Sequence, residues 1–177
     1  MRVTKALPLH AVRSHWLIAA YVLAIVAANM LIAAFGPWFS PINAFLFIGL
    51  DLVLRDKLHD RYQGSPLVMA PLVLGASAIT YFVNPAAQHI AIASAVSFAA
   101  SGTADWLAYS ALRGRSFLAR SNGSNVAGAA VDSLLFPTLA FGVLMPEIIA
   151  LQFAAKVAGG AVWAFAITAA SRKGAAA

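Results

Sequence analysis

Asp51, Asp105, Asp132 and Lys156 lie inside stretches of this chain that are otherwise apolar enough to sit in lipid. A charge near the centre of a bilayer costs at least roughly 2.5–3.5 kcal/mol on insertion scales, so a fold that keeps four must set them against one another, a cavity or a ligand. These four positions are the first candidates for function. The chemistry open to them is recognition and charge compensation, because a carboxylate accepts hydrogen bonds or a proton and an ammonium pairs with a carboxylate.

Their neighbours extend each position into a polar face. On the second apolar stretch Asn43, Phe47, Asp51 and Arg55 recur at every fourth residue, which places them on one face of a helix. Asp51 and Arg55 are then in reach of each other, and the alternative is that Arg55 snorkels to the interface and only neutralises Asp51. On the fourth stretch Ser94, Ser97, Ser101 and Asp105 form a stripe that ends in a carboxylate. Small hydroxyl residues also let helices pack closely, and Asp105 is near enough to Arg113 or Arg115 to pair.

On the fifth stretch Asn125, Gly128 and Asp132 share a face, and Phe136 follows one turn on. Asp132 has no basic residue three or four positions away, so its partner must come from another helix, a ligand or a proton. On the sixth, Gln152 and Lys156 are one turn apart, and Lys156 is too deep to snorkel, which predicts a buried pair with one of the aspartates. Asn29 adds an uncharged hydrogen-bonding group on the first stretch. Ala20, Ala24 and Ala28 form a small-residue ridge there, and Gly159 and Gly160 allow close backbone approach on the sixth.

The elements that carry these residues are read from length and apolarity. The chain has 177 residues, 62% hydrophobic and 10% charged, with a mean hydropathy of +0.82. That composition is the composition of a polytopic membrane protein. Spans of about 17–25 apolar residues cross a hydrocarbon core, and the chain offers six, roughly 16–35, 38–55, 67–83, 87–111, 125–145 and 147–170. The expected architecture is therefore an all-α integral membrane fold, one six-helix domain over residues 1–177. The first stretch reads as a retained helix and not as a cleaved leader.

Basic residues alternate with the turns. Arg2, Lys5 and Arg13 precede the first helix, Arg55, Lys57 and Arg61 follow the second, Arg113, Arg115 and Arg120 follow the fourth, and Arg172 and Lys173 follow the sixth. The turns at Gly36-Pro37, Asn84-Pro85 and Met145-Pro146 carry no Lys or Arg. Positive charge marks the cytoplasmic side, so both termini and both basic turns are expected there. Ser121-Asn122-Gly123-Ser124-Asn125 reads as a loop with an N-cap before helix five, while Pro71 and Pro137 fall inside helices. Asn43 with Asp51 and Asn125 with Asp132 are compatible with two inverted three-helix halves, although the spacings are eight and seven.

Several classes are excluded or disfavoured. The chain has no cysteine, so thiolate nucleophiles, thiolate metal sites and disulfides are ruled out. His10, His15, His59 and His89 are scattered and read as interfacial side chains, not as metal ligands. No Walker loop, glycine fingerprint or nucleophile elbow occurs, so the expectation is no enzyme and no cofactor. The net charge of +6 reports topology and not a nucleic-acid partner, since the basic residues are divided among turns. Transport of a small polar solute through a lipid bilayer fits best.

Three stretches resemble the queuosine-precursor transporter (VUT) family: Ala28-Asn29; Gly49-Leu50-Asp51-Leu52-Val53-Leu54-Arg55-Asp56-Lys57-Leu58-His59; and Ser124-Asn125 with Asp132-Ser133-Leu134-Leu135-Phe136 and Ala140-Phe141. The segment from Asp105 to Arg113 and Lys156 are similar to that family as well. The chain departs from it at Ala33 and Ala34, where a lysine is common, and at Arg55, where a glutamate is frequent.

The resemblance implies uptake of a 7-deazaguanine such as preQ0 or preQ1 across the cell inner membrane, by secondary or facilitated transport. It implies Asp132 as acceptor for the base edge, Asp51 or Asp105 as a second contact or proton site, and an amide from Asn29, Asn125 or Gln152 for the carbonyl. Phe47, Phe136, Trp106 or Trp163 would stack on the ring. The alternative is a substrate-binding subunit of an energy-coupling-factor transporter, which would require an ATPase module, and a homodimer is compatible with either.

Overall fold

The computed structural model describes residues 9–62 and 66–173, with side chains described over 16–62 and 70–170. His10, His15, Arg2, Lys5, Arg13, Arg172 and Lys173 lie outside the described side chains. Six helical rods follow one another: α1 (Leu9–Phe35), α2 (Pro37–Arg61), α3 (Pro66–Val83), α4 (Pro85–Ala111), α5 (Phe117–Phe141) and α6 (Pro146–Lys173). No strand occurs among the described residues. Four stretches are long and apolar enough to cross a membrane on their own: Trp16–Phe35 of α1, then α2, α4, and Pro146–Ala170 of α6.

Successive rods run in opposite directions, so the turns fall at two ends. The proline end holds Gly36-Pro37, Asn84-Pro85 and the 142–145 turn; the basic end holds the turns after Arg61 and Ala111. Prolines open α2, α4 and α6, where a missing N–H costs no helical bond. Pro71 and Pro137 lie inside α3 and α5, as expected.

Helix five departs from the expected 125–145. It begins at Phe117, capped by Ser116 Oγ accepting the Ala119 N–H at 3.3 Å, and ends at Gly142, whose φ of 70° is left-handed and favours glycine. The Ser-Asn-Gly-Ser-Asn run is helical, not a loop, because tertiary partners satisfy it. Ser121 Oγ donates to Asp56, Ser124 Oγ donates to the Ser121 carbonyl at 3.3 Å, and Gly123 leaves room for the Leu112 side chain. Arg120 is therefore a helix residue.

α2 is not a uniform α-helix either. Between Ser40–Asn43 and Gly49–Arg61 it makes a π turn over Ala44–Ile48. A π turn inserts one residue into the register, so Asn43, Phe47, Asp51 and Arg55 do not keep a single face. Phe47 packs instead with the apolar cluster around Tyr21, Ile25 and Leu52. The eight-residue step from Asn43 to Asp51 contains the π turn, and the seven-residue step from Asn125 to Asp132 contains none.

α6 lies against this irregular segment backbone to backbone. A Cβ on Gly49 would come within 2.7 Å of the Gly159 carbonyl carbon, and one on Gly159 would fall on the Phe45 carbonyl oxygen. Trp163 Nε1 donates to the Leu46 carbonyl at 3.1 Å, so its indole serves the π turn. Small residues at a helix crossing are how membrane helices reach this proximity.

Candidate functional site

Lys156 organises the middle of the bundle. Its Nζ is 2.7 Å from Asp132 Oδ2, 3.0 Å from Ser133 Oγ and 2.7 Å from Gln152 Oε1. An ammonium has three protons, so all three are committed to the protein. Gln152 in turn donates through Nε2 to Ser40 Oγ, which joins α6 to the start of α2. Asp132 is 3% exposed and its Oδ1 has no hydrogen-bond partner.

Around this pair lies a pocket lined by Asn29, Ser40, Asn43, Ser94, Phe98 and Phe136 as well as Asp132, Gln152 and Lys156. Asn29 Nδ2 donates to Thr80 Oγ1 at 3.5 Å, which ties α1 to α3 behind the pocket. Asn43 Oδ1 has no partner, which leaves two buried acceptors, this one and Asp132 Oδ1, among the lining residues. The enclosed space is about 10 Å³, room for one water. The pocket is closed.

Of the residues singled out in the sequence, Asn29, Asn43, Ser94, Asp132, Phe136, Gln152 and Lys156 come together here. Asp51, Asp105, Asn125 and Phe47 do not line it. The helix-five shift moves the pocket as well: measured from Phe117, Asp132 lies just past the middle of α5 toward the proline end. It is therefore not in the basic half, where a start at residue 125 would have put it.

A second polar group occupies the basic half. Arg55 turns from Asp51 to Asp105, with Nε 3.6 Å from Oδ2. Two glycines shape its seat: a Cβ on Gly102 would meet Nη1 at 3.3 Å, and one on Gly128 would meet Nη2 at 3.3 Å. That slot between α4 and α5 explains why Arg55 leaves its own-helix neighbour, and it takes Asp105 away from Arg113 and Arg115. Asn125 packs on Gly160 and has neither side-chain polar atom hydrogen-bonded.

Further toward the basic end, Asp60 accepts from Tyr109 Oη at 2.9 Å and from Arg120 Nη1 at 3.1 Å. Arg120 also stacks over the Tyr109 ring at 3.8 Å, and Lys57 over Phe117 at 3.7 Å. These contacts close α2, α4 and α5 together at that end. A cavity of about 480 Å³, mostly apolar, lies between the two levels and is lined by Tyr21, Arg55, His59, Phe98, Asp105 and Trp106, among others. Phe98 belongs to both cavities and separates them.

The sequence reading missed Ser40, Ser94's place in the pocket, Ser133 and the buried Asp56. Asp56 sits between Arg55 and Lys57 and looked like part of a solvated basic turn, yet it is fully buried. No group of His, Cys, Asp or Glu capable of holding a metal occurs among the described residues.

The sequence model of a family described as "Putative vitamin uptake transporter" matches residues 10–170. No curated protein and no solved structure matches the chain.

Proposed function

The chain belongs to the family of that description, one of uptake transporters and not of enzymes, and from this membership we propose that it takes up a 7-deazaguanine such as preQ0 or preQ1. Membership makes it a multi-pass membrane protein that acts on a small-molecule substrate. The proposed binding site is the pocket at Asp132, and the proposed orientation has all six helices crossing the inner membrane with the basic end in the cytoplasm.

The observation that carries the substrate is the state of the acceptors. Lys156 is fully committed, while Asp132 Oδ1 and Asn43 Oδ1 accept nothing. Such a pocket asks for N–H donors. A guanine-like edge offers N1–H beside an exocyclic amine, and Asp132 would take both, with the amide nitrogen of Asn43 or Asn29 for the ring carbonyl. Phe136 and Phe98 would hold the ring. Because the closed space admits about one water, the helices must separate to admit a base, which is the behaviour of a carrier and not of a pore.

Thermal shift of the purified protein tests the reading, with preQ0, preQ1, queuine and guanine as ligands and hypoxanthine as the control lacking the amine. At least one deazaguanine is expected to raise the melting temperature and hypoxanthine is not, since a site built to bond an amine rejects the analogue without it. No shift with any deazaguanine, or an equal shift with hypoxanthine, would overturn it.

A further inference from the structure

Among the described residues, six acidic and basic side chains are buried to 5% exposure or less: Asp51, Arg55, Asp56, Asp105, Asp132 and Lys156. Four carboxylates thus face two cations. Arg55 pairs with Asp105 and Lys156 with Asp132, which leaves Asp51 and Asp56. Asp56 accepts a hydrogen bond from Ser121 on one oxygen, while its other oxygen has none. Asp51 is 0% exposed and neither of its oxygens accepts a bond from any described residue. An ionised carboxylate in that position would be an uncompensated buried charge, the costliest group a membrane protein can hold.

The surroundings of Asp51 do not supply the missing charge. Arg55 on its own helix is the one cation that acts on Asp51, and it makes its ion pair with Asp105; Tyr21 from α1, Asp105 from α4 and Asp132 from α5 also act on it, and each is neutral or acidic. Lys156 from α6 is held by Asp132, and α3 has no Asp, Glu, Lys, Arg or His over residues 70–83. Comparison of the two halves makes the same point. Lys156 stands ten residues into α6 and serves Asp132; the tenth residue after the start of α3 is Ala76. Asp51 thus stands in α2 as Asp132 stands in α5, without the lysine.

Its place on α2 gives the surplus a use. Ile48, one turn before it, lines the closed pocket, and Arg55, one turn after it, lines the open cavity. Asp51 itself lines neither space and stands on α2 between the residue that lines one and the residue that lines the other; an opening of either space toward it would bring water to it from that side.

We propose that Asp51 is a proton-binding site that couples substrate uptake to proton entry. Its carboxylate takes one proton from water on the proline side, holds it as the neutral acid while the carrier is closed, and returns it to water on the basic side. One proton then enters with each substrate, and no other ion is consumed. This rests on the transport reading above for the coupling, and on the charge balance alone for the proton site.

Two measurements test it. Infrared difference spectroscopy of the purified protein at neutral pH should show the carbonyl stretch of a buried protonated carboxyl in wild type and in Asp56→Asn, and lose it in Asp51→Asn. An absent band in wild type, or one that survives in Asp51→Asn, overturns the proton site. In proteoliposomes with an acidic exterior, wild type should concentrate the deazaguanine that binds, and a protonophore should abolish the accumulation. Asp51→Asn should exchange labelled for unlabelled substrate but not concentrate it. Accumulation that survives the protonophore, follows a sodium gradient or persists in Asp51→Asn overturns the coupling. If wild type moves no deazaguanine, the substrate assignment fails, and the infrared comparison still decides whether Asp51 holds the proton.

Discussion

Lys156 Nζ sits 2.7 Å from Asp132 Oδ2, and both side chains are almost fully buried. Removing one member of such a pair strands the other. Asp132→Asn is therefore expected to lower stability by about 3–5 kcal/mol and to abolish ligand binding. Asp132→Asn with Lys156→Gln should recover most of the stability and none of the binding. Melting curves and ligand-induced shifts in detergent separate the two effects, and an unchanged melting temperature in the single variant would count against a stabilising pair.

The contact between α2 and α6 has no room for a methyl group. Gly159→Ala puts a Cβ on the Phe45 carbonyl and should cost about 1–3 kcal/mol by overpacking. Gly75→Ala, on α3 with nothing within 4 Å, should be neutral or gain up to about 1 kcal/mol from helix propensity. Equal melting temperatures for the two variants would contradict the packing described for α6.

At the basic end the Asp60–Arg120 pair is partly exposed, with side chains 39% and 19% accessible. A solvated pair contributes about 0–1 kcal/mol. Asp60→Asn keeps an acceptor for Tyr109 and leaves the Arg120 stacking intact, so its melting temperature should stay close to wild type and vary little with salt. A large loss would show that this end is held more tightly than its exposure implies.

The absence of cysteine makes orientation directly measurable. Val143→Cys at the proline end and Arg115→Cys at the basic end are both exposed positions. An impermeant maleimide should label Val143→Cys in intact spheroplasts and Arg115→Cys only after permeabilisation. The reverse pattern would invert the proposed topology.

Much of this architecture was legible because lipid imposes simple rules. Six helices were expected and six helical rods occur, four of them with stretches long and apolar enough to cross a membrane on their own, and the depth of Lys156 required an acidic partner, which is Asp132. What stayed hidden depends on contacts between helices. Ser121 to Asn125 has loop composition and becomes helix because Asp56, just past the expected end of helix two, receives the Ser121 hydroxyl. Likewise Arg55 has Asp51 one turn back on its own helix, yet glycines on two other helices steer it to Asp105. The π turn leaves no mark in composition, so the face drawn through Asn43, Phe47, Asp51 and Arg55 could not be corrected in advance.

That π turn has a mechanical meaning. Wider turns of this kind hydrogen-bond less regularly than the α-helix on either side, so a rod containing one bends most easily there. In α2 the softened joint at Ala44–Ile48 falls between the segment that reaches the pocket and the segment that holds Arg55. A rod so jointed is two levers sharing an axle: a tilt on the pocket side would leave the Arg55 side in its grip on the neighbouring helices.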